Sequence, residues 1–205
     1  KLRKGFFAAY RLGRRWIEAG EPMLPSMASP TTIEPLEPGA AELPPTVIRR
    51  DGEYVLTARA RIPRPLHEVF AFFSDARNLA TLTPPNMHFT ILTPGEIEMK
   101  PGTIIDYKLR VRGLPVRWKT EITAWKPPER FEDLQAKGPF RQWIHEHRFV
   151  AEGKSTLMQD RVRYKVWGGA LVHWLVKRDN AKVFAFRNQV MKSLFPPRTP
   201  DEEPA

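Results

Sequence analysis

Residues 138–166 read GPFRQWIHEHRFVAEGKSTLMQDRVRYKV, and this stretch decides the fold. Two runs rich in aromatic and β-branched residues, 141–151 and 155–166, flank the pair Gly153-Lys154. A two-residue loop that contains glycine, placed between two such runs, is typical of a tight β-hairpin. The stretch therefore predicts two antiparallel strands joined by a short turn.

The loop also fixes the register of this hairpin. If Glu152 lies opposite Ser155, the opposed pairs on one face are Trp143/Tyr164, His145/Val162, His147/Asp160 and Phe149/Met158. Side chains alternate between the two faces of a strand, and opposed Cβ atoms lie about 4.5–5.5 Å apart. We therefore predict a hydrogen bond between His147 and Asp160, in which the carboxylate favours the charged imidazole.

Outward from the hairpin, the chain alternates short strand patterns with turns rich in glycine and proline. Strands are predicted at 54–62, 89–93, 103–111, 116–125 and 130–136, and short helices at 66–73 and 76–82. Sequential strands with short connections indicate an antiparallel meander.

One long helix, 169–195, follows the last strand and should be about 40 Å long at 1.5 Å per residue. Its predicted apolar stripe consists of Val172, Val176, Val183, Phe186, Val190 and Leu194. The run Arg178-Asp179-Asn180 interrupts this stripe. It predicts either a bend in the helix or the polar mouth of a cavity.

The N-terminal region differs from the rest in charge and composition. Residues 1–20 carry a net charge of +5 and have apolar residues at helical spacing, which predicts a basic amphipathic helix. Its predicted contacts with an anionic membrane or a partner are Leu2, Phe6, Phe7, Tyr10, Arg11, Arg14, Arg15, Trp16 and Ile17. The chain starts with Lys1, so a removed leader, a tag boundary or a spanning helix could precede it, although these 205 residues contain no spanning segment.

Two further segments lie outside the predicted domain. Residues 21–46 carry a net charge of −4 and seven prolines, which predicts an extended linker. Residues 196–205 carry a charge of −2 and predict a disordered acidic tail. The domain itself is predicted at 47–195. It carries a charge of +11, which the other three segments reduce to +10 for the whole chain, so it should be attracted to anionic surfaces.

Several motifs in the domain resemble one branch of the START-like (SRPBCC) superfamily, the polyketide cyclase/dehydrase and coenzyme Q-binding protein-like branch. They are Phe72-Phe73-Ser74-Asp75, Gly102-x-x-Ile105-x-Tyr107, Trp118-x-x-x-Ile122, Phe131-x-Asp133, Gly138-Pro139-Phe140-x-x-Trp143-x-His145-x-His147-x-Phe149, Asp160-x-Val162-x-Tyr164 and Phe184-x-Phe186-Arg187. The resemblance implies an α+β helix-grip fold of the START/Bet v 1 type. In that fold a curved antiparallel sheet surrounds a long C-terminal helix and leaves a hydrophobic cavity.

From this resemblance and from the shared strand faces we predict twelve residues that line the cavity. They are Tyr107, Leu109, Trp118, Ile122, Trp143, His145, His147, Phe149, Val162, Tyr164, Val183 and Phe186. Aromatic residues on one sheet face can also form an ordinary core, but a sheet that curves around a single helix leaves a gap.

The two histidines admit two interpretations. His145 or His147 could act as a general acid or base that Asp160 orients. Alternatively, the histidines and the acid could be a buried structural group whose members satisfy one another, and this is the interpretation that we favour.

We predict no metal site and no cofactor apart from a bound lipophilic ligand. The chain has no cysteine, which excludes disulfides, thiolate zinc sites and a cysteine nucleophile. Two histidines at i, i+2 and one aspartate could ligate zinc, but the other histidines are scattered along the sequence. There is no phosphate-binding glycine-rich loop and no GxSxG motif, and only charge favours nucleic-acid binding.

Three functions remain open at this point. We expect a cytoplasmic protein, peripheral at a membrane or held in an assembly, that binds and transports or presents a lipid, quinone or polyketide rather than an enzyme. The first alternative is an aromatase/cyclase-type enzyme that uses the His147–Asp160 pair. The second is an accessory subunit of a membrane-associated complex that has a contact function only.

Overall fold

A computed structural model describes residues 35–197 of the chain. Within them it has eight strands, β1 (Leu43–Arg50), β2 (Glu53–Ile62), β3 (Thr90–Ile91), β4 (Ile104–Val111), β5 (Leu114–Lys126), β6 (Arg130–Lys137), β7 (Gln142–Glu152) and β8 (Ser155–Lys165). It also has two α-helices, α1 (Leu66–Ser74) and α2 (Ala170–Leu194). The predicted basic helix, the linker up to residue 34 and the tail from residue 198 lie outside the described residues.

The strands form one antiparallel sheet in the order β1-β2-β8-β7-β6-β5-β4-β3. Each strand from β3 to β7 pairs with the next along the chain, as the meander prediction required, and β2 pairs with β8. The sheet curves around α2, and α1 follows β2 as predicted. The predicted α+β helix-grip fold is therefore confirmed.

The hairpin of β7 and β8 has the predicted register. His147 lies opposite Asp160, His145 opposite Val162 and Trp143 opposite Tyr164, and Glu152 and Ser155 close the loop. Gly153 has a φ of 61°, a left-handed conformation that glycine adopts at little cost.

The predicted boundary between linker and domain is wrong, because the sheet begins four residues before position 47. β1 starts at Leu43 and pairs with β2 across a register irregularity between Leu43 and Thr46. Pro44 and Pro45, the second and third residues of β1, made this segment resemble a linker. Proline is tolerated there because β1 is an edge strand, where no ladder hydrogen bond is lost on the outer side.

Three smaller predictions are also corrected. The strand predicted at 89–93 is reduced to β3, and the helix predicted at 76–82 is a short 3-10 helix, Ala76–Leu79. The Asp75 side chain caps it by accepting a hydrogen bond from the Arg77 backbone N–H at 2.9 Å. The fully buried residues of α2 are Leu175, Phe184, Arg187 and Met191, whereas Leu194 of the predicted stripe is exposed.

The space between the sheet and the helices is filled in one part and open in another. The first part, which we call the packed half, is a cluster of buried residues from the sheet, from α1, from the segment after it and from the C-terminal part of α2. Its members are Ile62, Val69, Phe70, Phe73, Leu82, Phe131, Phe149, Met158 and Met191. The second part, the cavity half, lies beside β4 and β5, where Leu109, Val116 and Trp118 are buried together with partly buried aromatic neighbours. The cavity half positions the candidate site.

Candidate functional site

A cavity of about 280 Å³ lies between the sheet and the N-terminal part of α2. Its sheet side is formed by β4, β5, β6 and β7, and its helix side by Val172, Val176 and Val183. The segment after α1 covers it with Leu79, Leu82 and Met87. The volume is near the lower end of the range for small-molecule sites, and most of the lining is apolar.

Eight of the twelve predicted lining residues face this cavity, namely Tyr107, Leu109, Trp118, Ile122, Trp143, His145, His147 and Val183. The other four do not. Phe149 belongs to the packed half, where its ring contacts those of Phe70 and Phe73.

Val162 and Tyr164 lie in a third cluster with Leu56, Ala58 and Phe184, and of these five residues only Phe184 lines the cavity. Phe186 is half-buried on α2 and outside the lining. The strand prediction failed for Phe149 because the cavity covers only part of the length of β7. It failed for Val162 and Tyr164 because no residue of β8 lines the cavity, although their opposed partners on β7, His145 and Trp143, do.

At the boundary between the two halves lies a group of charged and polar side chains, which we call the polar cluster. It consists of Asp133 on β6, His145 and His147 on β7, Asp160 on β8 and Arg187 on α2. All except Asp133 are less than a tenth exposed, and Asp133, His145, His147 and Arg187 line the cavity.

Asp160 is the centre of the polar cluster. Its Oδ1 lies 2.8 Å from His147 Nδ1 and 3.0 Å from His145 Nε2, and its Oδ2 lies 3.4 Å from Arg187 Nε. Burial alone would raise the pKa of Asp160, but the charge of Arg187 and the hydrogen bonds from both histidines outweigh it. They hold the pKa well below its usual range. Asp160 is therefore an ionised acceptor for both rings.

His145 has the opposite balance of forces. Burial, followed by the proximity of His147, lowers the pKa of His145, although Asp160 and Asp133 oppose the shift. A neutral imidazole keeps one proton, and the 3.0 Å contact with the Asp160 carboxylate places it on Nε2. Nδ1 of His145 is then a lone pair, 3.7 Å from Asp133 Oδ2.

His147 presents the same arrangement with its nitrogens exchanged. Nδ1 faces Asp160 at 2.8 Å and Arg187 Nη2 at 3.3 Å. A guanidinium only donates, so the Arg187 contact uses Nδ1 as an acceptor, whereas the Asp160 carboxylate at 2.8 Å calls for an N–H on the same atom; the two contacts compete for Nδ1. Nε2 then faces Asp133 Oδ2 at 3.6 Å.

Sequence reasoning found His145, His147 and Asp160 but missed Asp133 and Arg187. Asp133 lies opposite His145 in the pairing of β6 with β7. This register could not be counted from the sequence, because the turn at residues 138–141 between the two strands is irregular. Arg187 was missed because a search for an apolar stripe assigns an arginine to the solvent side. The signals were present in the family motifs, which contain both residues.

Two polar features lie in the aromatic wall of the cavity. Trp118 is only 8% exposed, and its indole N–H has no partner among the described residues. The Tyr107 hydroxyl bonds Thr120 Oγ1 at 3.1 Å, and burial, with a smaller contribution from the Asp133 charge, raises the pKa of Tyr107. Tyr107 is therefore a neutral hydrogen-bonding group at neutral pH.

The interrupted stripe of α2 meets the cavity at its solvent side. Asp179 and Asn180 both line the cavity, and α2 continues through them without a break. The turn between β4 and β5 reaches α2 here, where Arg112 donates to Asp179 at 2.7 and 2.9 Å. Both partners are partly exposed, so this ion pair bridges the place where the cavity approaches the surface.

The predicted membrane or partner contacts at positions 2–17 all lie outside the described residues. Among residues 35–197, neither helix combines the length and the apolarity needed to cross a bilayer.

The chain is similar to one protein family and to several solved structures. A family model described as polyketide cyclase / dehydrase and lipid transport matches residues 62–186. No curated protein matches the chain. Solved structures do, and three of them are described below.

Protein Ms6760 from Mycobacterium smegmatis is 19% identical with a TM-score of 0.54, and the match covers 73% of this chain and 95% of that one. A START superfamily protein from Mycobacterium smegmatis is 14% identical with a TM-score of 0.53, covering 70% and 99%. Major latex-like protein 151 from Panax ginseng is 14% identical with a TM-score of 0.51, covering 70% and 97%. These likenesses bear out the helix-grip architecture.

Proposed function

Since this chain belongs to the polyketide cyclase / dehydrase and lipid transport family, we propose that it binds a lipophilic small molecule in its internal cavity. The observation that carries the proposal is the cavity of about 280 Å³, walled mainly by aliphatic and aromatic side chains with a smaller number of polar groups among them. A lipid chain, a quinone or a polyketide has the matching chemistry, an apolar body with a few oxygen atoms.

The polar groups narrow the class of ligand further. The Trp118 N–H is a buried donor without a partner among the described residues, and an unmade hydrogen bond of this kind costs about 1–3 kcal/mol. A ligand with a carbonyl or hydroxyl oxygen against Trp118 would recover that energy. We therefore favour an oxygen-bearing ligand over a plain hydrocarbon.

A second function, proton transfer of the aromatase/cyclase type, is supported by the polar cluster. His145 and His147 line the cavity, and the lowered pKa of His145 keeps its ring neutral and able to accept a proton at neutral pH. The proposed pair His147–Asp160 would then act as part of a larger group. Replacing His147 by Gln would abolish turnover while leaving ligand affinity within a few-fold if this enzyme function holds.

We also propose that the domain works at the surface of a cytoplasmic membrane or in a membrane-associated complex. The basic composition of residues 1–20 supports this proposal. On the described domain, Leu171 and Trp174 are more than half exposed at the start of α2, next to Lys177 and Arg178. Binding to anionic vesicles that is lost when residues 1–34 are deleted would support membrane contact, and binding to a protein partner instead would favour the accessory subunit.

Ligand binding can be tested by filling the cavity. Leu109 is buried and lines the cavity, so Leu109→Trp would place a larger ring in the space that the ligand needs. Leu92→Trp is the matched control, because Leu92 is 40% exposed and does not line the cavity.

The readout is fluorescence of anilinonaphthalene sulfonate and its displacement by a fatty acid, an isoprenoid quinone and a tricyclic aromatic ketone. We expect saturable binding to the wild type and to Leu92→Trp, and at least a tenfold loss in Leu109→Trp. Equal binding by all three proteins would contradict the proposed site.

A further inference from the structure

In the polar cluster, one oxygen of Asp133 and one ring nitrogen from each of the two histidines lie close together without a hydrogen bond between them. Asp133 Oδ2 lies 3.7 Å from His145 Nδ1 and 3.6 Å from His147 Nε2. Both separations exceed the range of a side-chain hydrogen bond. The three ligand-type atoms all lie within 4.8 Å of one another.

The other ring nitrogens of the two histidines are fixed by a single carboxylate. Asp160 Oδ1 accepts from His145 Nε2 at 3.0 Å and from His147 Nδ1 at 2.8 Å. The two rings therefore turn their other nitrogens, Nδ1 of His145 and Nε2 of His147, toward Asp133. A carboxylate that holds the far nitrogen of a ligating histidine is the usual outer partner of a metal-bound imidazole.

We propose that Asp133, His145 and His147 bind one divalent transition-metal ion of the Zn²⁺ class. Metal–nitrogen and metal–oxygen bonds of about 2.0–2.2 Å in a tetrahedral site place ligand atoms about 3.4 Å apart. The observed 3.6 and 3.7 Å separations need only small side-chain rotations to reach that value.

The proposed site has an open position toward the cavity. All three ligands line it, so the remaining coordination position faces the same space as the apolar ligand. Three protein ligands with one open position are typical of metal sites that bind water or a substrate oxygen. An oxygen atom at the polar end of a lipophilic ligand is the group that this position would take.

The charges in the polar cluster are compatible with a cation at this place. The polar cluster contains two carboxylates, Asp133 and Asp160, and one guanidinium, Arg187. Arg187 Nε lies 3.4 Å from Asp160 Oδ2, so its charge is paired with Asp160. A shared divalent ion would offset the remaining negative charge on Asp133 and separate the three atoms that face one another.

The test uses the full chain, stripped with a chelator, and Co²⁺ as a spectroscopic probe that Zn²⁺ can displace. We expect one equivalent of Co²⁺ to bind, with the intense visible bands of a four- or five-coordinate ion. Asp133→Asn should lose this signal and keep its near-ultraviolet circular dichroism. The double variant His67→Gln/His88→Gln, which alters two exposed histidines outside the site, should bind like the wild type.

A wild type that shows only the weak spectrum of six-coordinate Co²⁺, or a signal that survives in Asp133→Asn, would overturn the metal site. If Asp133→Asn fails to fold, His145→Gln takes its place, and Zn²⁺-dependent shifts of the His145 and His147 ring nitrogens in the wild-type NMR spectrum decide the question. No organic ligand is added, so a negative result leaves lipophilic binding by the cavity untouched.

Discussion

The packed half and the cavity half are built on the same sheet face and under the same helix, but only one is filled. In the packed half, Phe70, Phe131 and Phe149 contact one another edge-on or stacked. In the cavity half, α2 presents the short side chains Val172, Val176 and Val183 to the wide sheet. Small residues on the helix opposite a curved sheet leave a volume that the sheet side chains do not fill.

This difference suggests that the two halves serve different ends. Close packing of a core raises the free energy of unfolding. The side chains around an open volume lack these contacts, so we expect such a volume to be occupied by a bound molecule. Substitutions in the packed half should therefore change stability, and substitutions in the cavity half should change binding. The predictions below test this division, from the largest expected effect to the smallest.

The largest effect is expected from Phe149→Ala in the packed half. Phe149 is 2% exposed and contacts three other aromatic rings there. Its truncation should lower the free energy of unfolding by about 4 kcal/mol, measured by urea denaturation. Phe140→Ala is the matched change in the cavity half, where Phe140 is only partly buried, and it should cost less than half as much. Equal losses would remove the distinction between the halves.

The next effect concerns Arg187, which lies where the halves meet. Arg187→Met leaves Asp160 buried without its cationic neighbour, and this should cost about 3 kcal/mol in urea denaturation. Arg112→Met, which removes a partly exposed ion pair with Asp179, should cost less than about 1 kcal/mol. If Arg187→Met is as stable as the wild type, Asp160 does not depend on Arg187 for its charge.

The double variant Arg187→Met/Asp160→Leu sharpens that result. A buried ion pair that is replaced as a whole by apolar residues is often tolerated far better than one that loses a single partner. We expect the double variant to recover only part of the lost stability in the same urea assay, because Asp160→Leu also removes the acceptor of His145 and His147. Full recovery would mean that these two hydrogen bonds contribute nothing to stability, and a further loss would mean that they outweigh the ion pair.

The smallest effect is a pH dependence at the start of α2, where the helix meets β2. His173 stacks on Tyr54, and partial burial, with the nearby charges of Lys177 and Arg49, lowers its pKa. The unfolded chain, with an ordinary histidine pKa of about 6.5, then binds the proton more readily. Stability should therefore be lost as the pH falls below about 6.5, and His173→Gln should show a shallower decline of the unfolding midpoint between pH 8 and pH 5. An identical decline in both proteins would contradict the lowered pKa.

The sequence was sufficient for the hairpin of β7 and β8 because its register depends on one short loop. Counting outward from Gly153-Lys154 placed His147 opposite Asp160, as the structure has it. Arg187 could not be found in this way, since its place inside the fold depends on tertiary packing and an arginine reads as polar surface. β1 was missed for a related reason, because its prolines indicate a linker unless the strand is known to lie at an edge.

The limits of the cavity could not be predicted from strand alternation alone. Phe149 and His147 share one face of β7, yet one lies in the packed half and the other lines the cavity. What separates them is the position of α1 over one end of the sheet, and a local sequence pattern carries no information on that contact.

The central claim is that the cavity half holds a lipophilic molecule. The most direct measurement is native mass spectrometry of gently purified wild type and Leu109→Trp, before and after mild denaturation. The account predicts an excess mass on the wild type that is released on unfolding as an apolar, oxygen-bearing molecule, and its absence from Leu109→Trp. A wild type that carries no excess mass and takes up none of the three ligand classes, or an excess mass that Leu109→Trp keeps, would contradict it.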